Sequence, residues 1–367
     1  MPLYKVAYEG VMKVIIRVDS SIELGSGHLM RCLTLAGQLS SVGAIVKFVC
    51  KNLPGAMFTT IELNGYQYKK IAGDELNQSQ QFDAEQTIKV ISELFPEGFD
   101  WLVVDHYSLD ALWESQLRQH VKKIMVIDDL ANRRHDCDLL LDQNYYRNYE
   151  TRYSGLVSSE CLTFLGPSFV LFRPEFYVVK EINRVRDGSI RRILVFFGAS
   201  DATNQTHKVI ESIPLLKRPD IDFDIVVGAS NPNKKSIEQL CEELPNVTFY
   251  CQVTNMAEMM LNADLAIGAG GAAMWERCFL GLPAITVVFA SNQEQTTKDV
   301  VALGAIDYLG WSGNLTTINY ANAINRMLDS PEDVRKMSGN AMSIQATSAI
   351  SLADKMKQLI ENSTSIC

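Results

Sequence analysis

This sequence of 367 residues has few of the residue patterns that bind metals or form disulfides. Its 8 cysteines are scattered without a CxxC pair, and no histidine–cysteine cluster has the spacing of a zinc site. Asp128 and Asp129 are adjacent, but no histidine or third carboxylate stands at ligand spacing from them. We therefore expect no bound metal, no cofactor, and cysteines that remain reduced and mostly buried.

Long apolar runs and clusters of basic residues are missing as well. No apolar stretch reaches the roughly 20 residues of a membrane span, and the N-terminal residues lack a signal-peptide pattern. The net charge of −9 has no compensating lysine-rich run, so a nucleic-acid backbone would be repelled. We expect a cytoplasmic protein with no nucleic-acid partner and no stable membrane association. The sequence does not decide its oligomeric state.

The chain has a globular composition and two similar halves. With 47% hydrophobic and 21% charged residues, it is long enough for two α/β domains. Apolar strand-like runs alternate with helical patterns in each half. The predicted strands are Val14–Val18, Ile45–Cys50, Trp101–Val104, Lys123–Ile127 and, at a sheet edge, Leu139–Leu141, then Ile193–Phe197, Phe223–Val227, Val247–Tyr250, Leu265–Ile267 and Ala284–Val288.

This alternation predicts an α/β fold of two Rossmann-like domains that face each other across a cleft. We expect an N-terminal domain at 12–170, a C-terminal domain at 190–345, and a C-terminal helix and tail at 346–367. The tail Pro331–Asn362 has helical periodicity and could cross back to brace the first domain. Residues 1–11 are expected to lie outside the fold, and segments 145–159 and 180–192 have the composition of a linker. Ligands of open parallel sheets bind at the carboxyl ends of the strands, so the motifs there are the candidates.

The first such motif is a glycine loop between the strand Val14–Val18 and a helix. Gly25 and Gly27 allow close approach of a ligand, and the exposed N–H groups at the helix start suit an anion. The motif is not a dinucleotide fingerprint, because Met30 occupies the third glycine position and no acidic residue ends the strand at Cys50. These departures argue against a nicotinamide cofactor.

His28 lies in the first turn of that helix. The positive end of the helix dipole disfavours a second positive charge there, and a neutral imidazole can accept a proton. We therefore predict that His28 is a catalytic base, with a capping or core histidine as the alternative. Asp19, at the end of the preceding strand, could orient the His28 ring or hold a substrate hydroxyl, or could be a plain turn carboxylate. Tyr107 and the pair Asp128-Asp129 follow two other strands at the same edge.

Two small-residue turns in the second half predict a nucleotide site. Gly198 and Ser200 follow one strand, and Gly270 and Gly271 follow another and precede a helix, so their amides could hold a diphosphate. Glu276, one turn into that helix, could accept hydrogen bonds from two ribose hydroxyls. The alternative is a tight turn followed by a solvated glutamate. Further along, Asn292-Gln293 could be a helix cap or a substrate contact, and we favour the contact.

Together, these motifs resemble the glycosyltransferase-B (GT-B) superfamily and, more closely, the UDP-2,4-diacetamido-2,4,6-trideoxy-β-L-altropyranose hydrolase family of pseudaminic acid biosynthesis. The resemblance spans nearly the whole chain. It rests on Arg17-Val18-Asp19-Ser20-Ser21, Gly25-Ser26-Gly27-His28-Leu29-Met30-Arg31-Cys32, Asp105-His106-Tyr107-Ser108-Leu109 with Trp113-Glu114, Ile127-Asp128-Asp129-Leu130-Ala131-Asn132-Arg133, Leu171-Phe172-Arg173-Pro174-Glu175-Phe176, Gly268-Ala269-Gly270-Gly271 with Glu276, and Asn292-Gln293.

The resemblance implies that water, activated by the glycine-loop histidine, displaces UDP from the anomeric carbon with inversion, in a pathway that serves flagellin glycosylation. His28 matches that histidine, Tyr107 a substrate-side tyrosine, Asn292 a late asparagine, and Glu276 a ribose-binding glutamate. We expect one substrate, the UDP-sugar. Its sugar is expected to be bound by Asp19, Gly27, Arg31, Tyr107, Asn292 and Gln293, and its UDP by Gly198, Ser200, Gly270, Gly271 and Glu276.

Three alternatives remain open. The first is a GT-B glycosyltransferase that carries the sugar to an acceptor, for which the long segment 145–170 could provide a site. The second is a nucleotide-sugar 2-epimerase, which the motif around His28 matches poorly. The third is a non-catalytic nucleotide-sugar-binding protein, which would have no reason to keep His28 beside the glycine turns.

Overall fold

The computed structural model describes residues 10–21, 23–72, 79–344 and 351–364. Within these ranges the chain divides into two compact units. The first unit takes in the residues before 145, residues 148–171 and those after 346, and the second takes in 145–147 and 172–346. Each unit is an α/β fold on one parallel sheet, so the predicted class of two Rossmann-like domains is confirmed. Most of the predicted N-terminal extension, residues 1–9, lies outside the described residues.

The strands of the first unit are β1 (Lys13–Val18), β2 (Ile45–Lys51), β3 (Gln67–Ile71), β4 (Trp101–Asp105), β5 (Lys123–Ile127), β6 (Leu139–Asp142) and β7 (Leu162–Leu165). Those of the second unit are β8 (Arg192–Phe196), β9 (Asp222–Val227), β10 (Val247–Cys251), β11 (Leu265–Ala269), β12 (Ala284–Val288) and β13 (Asp307–Trp311). The sheets run in the orders β3-β2-β1-β4-β5-β6-β7 and β10-β9-β8-β11-β12-β13, which are both doubly wound.

The helices are α1 (Gly27–Ser41), α2 (Phe58–Leu63), α3 (Gln80–Leu94), α4 (Ala111–Leu117), α5 (Pro174–Lys180), α6 (Gln205–Leu216), α7 (Lys234–Glu242), α8 (Met256–Asn262), α9 (Ala272–Phe279), α10 (Ser291–Ala302), α11 (Thr317–Asp329), α12 (Pro331–Ile344) and α13 (Leu352–Thr364). In the described part of the chain, none of them is both long and apolar enough to span a membrane.

The predicted strands are all found, but one prediction about them is wrong. The strand Leu139–Leu141 does not form the edge of its sheet, because β7 pairs with β6 on the far side. Strand β7 has only four residues and comes shortly after the linker-like segment 145–159, which explains why it was missed. Strands β3 and β13 were missed too. The sequence of β3 is Gln-Tyr-Lys-Lys-Ile, and so polar a composition suits the sheet edge that it occupies.

The central strand β1 sets the geometry of the site in the first unit. It pairs in parallel with β2 on one side and with β4 on the other, with Val18 opposite Asp105, and its last five residues are buried. Strand β4 is buried throughout and pairs with β5, so that Asp105 lies opposite Ile127. Such continuous apolar strands are typical of parallel sheets covered on both faces. The register brings the polar residues that end these strands to one edge of the sheet.

Helix α13 packs into the core of the first unit, so this part of the tail braces that domain as expected, whereas α12, which the expectation also covered, belongs to the second unit. Leu352, Met356 and Ile360 are buried in the same apolar cluster as residues of α1 and the sheet. The Trp101 indole also donates a hydrogen bond to the Met356 carbonyl, over 3.2 Å. Each such buried aliphatic side chain contributes roughly 1.5–3 kcal/mol, so the tail is part of the fold of this unit.

Candidate functional site

His28 lies in the first turn of α1, which starts at Gly27 directly after the glycine loop. Gly25 in that loop has a φ of 73°, a backbone conformation that favours glycine, and its N–H donates to the Ser21 carbonyl over 2.9 Å. The loop thus turns the chain from β1 into α1. Leu29 and Cys32, on the core face of α1, are buried, and this packing fixes the direction of the helix. His28, on the adjacent face, is about one-tenth exposed.

Asp105 orients the His28 ring. Its Oδ1 lies 2.5 Å from His28 Nδ1, and its carboxylate is completely buried at the end of β4. Burial by itself would raise the pKa of the Asp105 carboxyl, but Arg31 and His28 outweigh burial and hold that pKa well below its usual range. Because Asp105 is therefore ionised, Nδ1 must donate the hydrogen bond. The neutral His28 ring then has Nε2 as its unprotonated nitrogen, which is the nitrogen that a base needs.

Arg31 holds this arrangement together. One turn after His28 on α1, its Nε and Nη2 donate to the two oxygens of Asp105 over 2.6 and 2.7 Å. Its Nη1 donates to Asp129 Oδ2 over 3.0 Å, so that one guanidinium binds two carboxylates. Arg31 Nη2 also lies 3.1 Å from His28 Nδ1. Because a guanidinium nitrogen cannot accept a hydrogen bond, the Nδ1 proton of His28 is donated to Asp105 and not to Arg31. Substrate binding by Arg31 stays a prediction, and what the structure shows is that Arg31 positions two carboxylates.

Tyr107 stands beside the His28 ring. The two rings meet edge to face, with centroids 4.4 Å apart and an interplanar angle of 83°. The Tyr107 hydroxyl donates to Asp129 Oδ2 over 3.4 Å, and burial raises the pKa of Tyr107 well above its usual range. Tyr107 therefore stays protonated and presents a neutral hydroxyl next to the imidazole. The structure brings His28, Arg31 and Tyr107 together, as the sequence predicted.

Asp19 belongs to a different network. Its carboxylate accepts from Arg17 Nη1 over 2.5 Å and from the Lys51 backbone N–H over 2.7 Å, and Oδ2 lies 3.3 Å from His106 Nε2. Since His106 Nδ1 accepts the Ser108 N–H, its Nε2 carries the proton and donates to Asp19. The suggestion that Asp19 orients the His28 ring is wrong, because Asp105 does so. Asp19 is 3% exposed and is committed to holding β1 and β2 together.

Asp128 is likewise a structural carboxylate. It accepts from Arg133 Nη1 over 2.7 Å, from the Ala131 N–H over 2.9 Å and from the Tyr153 hydroxyl over 3.0 Å. Burial acts to raise the pKa of Asp128, but its partners, led by His135, hold that pKa below the usual range. Tyr153 comes from the segment 145–170, so this segment supports the loop after β5 rather than acting only as a linker. Of the adjacent aspartates, it is Asp129 that reaches Arg31 and Tyr107.

In the second unit, Gly270 and Gly271 lie where β11 turns into α9. A Cβ on Gly270 would lie 2.5 Å from Thr297 Oγ1, so only glycine fits there. Gly271 is the residue before α9, and a Cβ on it would lie 3.5 Å from Gln293 Nε2. Gln293 is itself held in place, because its Oε1 accepts the Phe289 N–H over 3.1 Å. The structure therefore brings Gly270, Gly271 and Gln293 together, and Asn292 lies next to Gln293 in the first turn of α10.

Glu276 lies on α9 beside Arg173. Arg173 Nη2 donates to Glu276 Oε1 over 3.3 Å, and its Nη1 lies 3.0 Å from Glu175. Burial raises the pKa of Glu276, and Arg173 acts against that rise. The sequence predicted a role for Glu276 but none for Arg173, although Arg173 stands in a motif that the resemblance had already singled out.

The turn with Gly198 and Ser200 follows β8, which pairs with β11. Gly198 has a φ of 94°, which favours glycine, and Ser200 is exposed. Asp201, the next residue, accepts from the backbone N–H groups of Gln205 and Thr206 over 2.9 and 2.8 Å and so anchors the start of α6. The turns of Gly198 and Gly270 thus follow adjacent strands. In the described ranges, no group of three or more His, Cys, Asp and Glu side chains is placed to hold a metal ion.

Comparison with known proteins supports the resemblance. Residues 192–358 match the family described as the glycosyltransferase family 28 C-terminal domain. The chain is 28% identical over 286 residues to a UDP-2,4-diacetamido-2,4,6-trideoxy-β-L-altropyranose hydrolase of Campylobacter jejuni, over 78% of this chain and 94% of that one. It is also 28% identical over 296 residues to an uncharacterised protein of Methanocaldococcus jannaschii, over 78% of this chain but only 58% of the longer relative. The resemblance stated from the sequence motifs is confirmed.

The fold likewise has solved relatives. The crystal structure of MurG from Acinetobacter baumannii matches 95% of this chain and 99% of its own, with a TM-score of 0.65 and 14% sequence identity. At that identity the likeness shows the fold alone, and it confirms the predicted GT-B class.

Proposed function

We propose that this protein hydrolyses UDP-2,4-diacetamido-2,4,6-trideoxy-β-L-altropyranose to the free sugar and UDP, with inversion at the anomeric carbon. The observation that supports this most strongly is the hydrogen bond of 2.5 Å between His28 Nδ1 and the buried Asp105 carboxylate, which leaves Nε2 as the proton acceptor. The named relative in Campylobacter jejuni supplies the substrate for the proposal.

In the proposed reaction, His28 Nε2 takes a proton from water as the water oxygen attacks the anomeric carbon. The bond between that carbon and the diphosphate oxygen breaks, and UDP leaves with the electron pair. A sugar alkoxide would need a general acid to leave, but a diphosphate is stable as an anion. One base therefore suffices, and Tyr107, whose ring lies against that of His28, would contact the sugar next to the base.

We assign the nucleotide to the second unit. The N-terminus of α9, directly after Gly271, would offer backbone N–H groups and a positive dipole end to the diphosphate, whereas the Gly270 N–H already donates to the Val287 carbonyl over 2.9 Å. Glu276 on the same helix provides the carboxylate for the ribose hydroxyls, and Gly198 and Ser200 follow the neighbouring strand. Asn292 and Gln293 would contact the substrate next to this turn. The predicted contacts of Arg31 and Asp19 with the sugar stay predictions, and both side chains are hydrogen-bonded to neighbouring residues.

The test is to incubate the protein with a panel of UDP-linked deoxy-diacetamido sugars and no acceptor, and to measure UDP release. The proposal expects release from the β-L-altro sugar at a rate well above that from UDP-N-acetylglucosamine. His28→Asn is the control for contaminating hydrolases and should release UDP at least about 100-fold more slowly than the wild type. Release only after a lipid or sugar acceptor is added would identify a glycosyltransferase, and binding of UDP-sugar without turnover would identify a non-catalytic binding protein. Either result overturns the proposal.

A further inference from the structure

The segment Phe172–Lys180 fastens the helix that carries Glu276. The Phe172 ring stacks on Phe279 at the end of α9, with centroids 4.4 Å apart, and Lys180 Nζ donates to the Phe279 carbonyl over 2.6 Å. Between these two contacts, Phe176 is fully buried. Contacts at both ends of the segment therefore attach it to Phe279, the last residue of α9, and Arg173, the residue before α5, reaches Glu276 from there.

The apolar packing of this segment does not explain the position of the Arg173 guanidinium. It is about one-third exposed, yet its guanidinium lies 5.1 Å from the Phe176 ring and binds both Glu175 and Glu276. Cation–π contact and two carboxylates hold the planar guanidinium in one orientation. A residue that only attached α5 to α9 would have no need of a charge next to Glu276, since Lys180 and the stacked rings already provide the attachment.

We propose that Arg173 is a positioning residue for nucleotide binding, which keeps the Glu276 carboxylate ionised and correctly oriented to accept the ribose hydroxyls of UDP. This inference rests on the proposed function. An ionised carboxylate accepts stronger hydrogen bonds than a neutral acid, so the affinity for UDP depends on the charge of Glu276.

Because charged groups surround Glu276, the proposed role of Arg173 predicts a particular pH dependence of the affinity for UDP. Burial raises the pKa of Glu276, Arg173 and Arg277 act to lower it, and Glu175 acts to raise it further. Arg277 is buried and donates to the Ala269 carbonyl over 2.7 Å, so it holds the turn rather than Glu276. When Arg173 is neutralised, the Glu276 pKa must rise further, and Glu276 then becomes protonated at a higher pH than in the wild type.

The experiment measures the dissociation constant of UDP by calorimetry between pH 5.5 and 8.5 for the wild type, Arg173→Gln, Arg173→Lys and Lys180→Met. UDP titrates its own terminal phosphate, but that effect is common to all four proteins and cancels in the ratio of variant to wild type. We expect the ratio for Arg173→Gln to be small at pH 8.5 and to grow as the pH falls, by up to about tenfold per pH unit while Glu276 is protonated in the variant and still ionised in the wild type.

Arg173→Lys keeps a positive charge next to Glu276. The ratio of its dissociation constant to that of the wild type should therefore vary less with pH than the ratio for Arg173→Gln. Lys180→Met is the matched structural control, because it weakens the attachment of α5 to α9 and leaves the charge at Glu276 unchanged. Its thermal stability should fall, while its ratio stays independent of pH. If Arg173→Gln gives a flat ratio like that of Lys180→Met, the positioning role is overturned. If the wild type does not bind UDP at all, the proposed function fails instead, and the two failures are thus distinguishable.

Discussion

His28 Nδ1 lies 2.5 Å from Oδ1 of Asp105, although the two residues come from a helix and a strand that are 77 positions apart in the chain. The strand places a buried, ionised carboxylate under the imidazole, and Arg31 holds that carboxylate from the other side. This relationship determines which ring nitrogen is protonated. It is the structural basis for treating His28 as a base.

The first prediction concerns Asp105. In Asp105→Asn, an amide nitrogen facing Nδ1 would donate to it, and the proton of the neutral ring would move to Nε2, where it blocks base catalysis. We expect kcat to fall by about 10²- to 10⁴-fold, which is the usual contribution of a general base, while the dissociation constant of UDP is unchanged. Steady-state kinetics and calorimetry measure the two quantities.

The double variant His28→Asn/Asp105→Asn sharpens this test. If Asp105 acts through His28, the double variant should be no slower than His28→Asn alone, because the two residues act as one unit. Losses that multiply in the double variant would show that Asp105 contributes independently of His28, and the positioning role assigned to it would be withdrawn.

The second prediction concerns UDP binding. Glu276→Ala should weaken UDP binding by roughly 10- to 150-fold, because hydrogen bonds to a charged group are worth roughly 1.5 to 3 kcal/mol. Isothermal titration calorimetry measures the affinity. Glu258→Ala, which removes an exposed carboxylate from another short helix of the same unit, is the matched control and should bind UDP like the wild type. Equal affinities for the two variants would remove Glu276 from the nucleotide site.

The features behind these two predictions were not equally predictable from the sequence. The buried strands β1, β4 and β5 read as apolar runs, and the glycine loop placed His28 at the start of α1 without ambiguity. The partner of His28 was less accessible, because Asp19 and Asp105 both follow strands at the same edge of the sheet. The choice between them depends on the pairing of Val18 with Asp105 and on the direction of α1, and only tertiary structure settles both.

The contact between Arg173 and Glu276 was beyond the sequence for the same reason. The two residues are 103 positions apart, and the packing of α5 on α9 depends on the ring stack between Phe172 and Phe279. Strands β3 and β7 were missed because one is polar and the other has only four residues, so neither has the apolar run that marks a central strand.

The third prediction concerns stability and pH. His135 is buried, with Nδ1 2.7 Å from Glu114 Oε1 and Nε2 3.9 Å from Asp128 Oδ2. Burial acts to lower the pKa of His135, but the nearby carboxylates of Asp128 and Glu114 outweigh burial and raise that pKa from 6.5 to about 9. A raised pKa stabilises the folded state fully below about pH 6.5, and that contribution is lost as the pH rises through about 9.

We expect the free energy of unfolding of the wild type to fall by up to about 3 kcal/mol between pH 6.5 and 9.5 from this residue. Urea unfolding, followed by tryptophan fluorescence, measures it. His135→Gln should lack this decrease, whereas His207→Gln, at a half-buried surface position of α6, should retain it. The same pH dependence in His135→Gln and the wild type would contradict the assignment of a charged, buried His135.

The fourth prediction is that hydrolysis survives removal of divalent metals. The N-terminus of α9 already offers positive charge to the diphosphate, and the leaving group needs no Lewis acid in this scheme. Activity after dialysis against EDTA should equal that of the untreated enzyme. A loss that magnesium or manganese restores would contradict this, and would direct attention to Asp128 and Asp129 as ligands.

Hydrolysis of the UDP-sugar in ¹⁸O-labelled water, by the wild type and by His28→Asn, shows both which bond breaks and which residue is the base. We expect the label to enter the sugar and not UDP, and the first-formed sugar to have the inverted anomeric configuration. We also expect that His28→Asn binds UDP normally while kcat falls by about 10²- to 10⁴-fold. Label in UDP, or full activity of His28→Asn, would show that the wrong bond or the wrong base has been assigned.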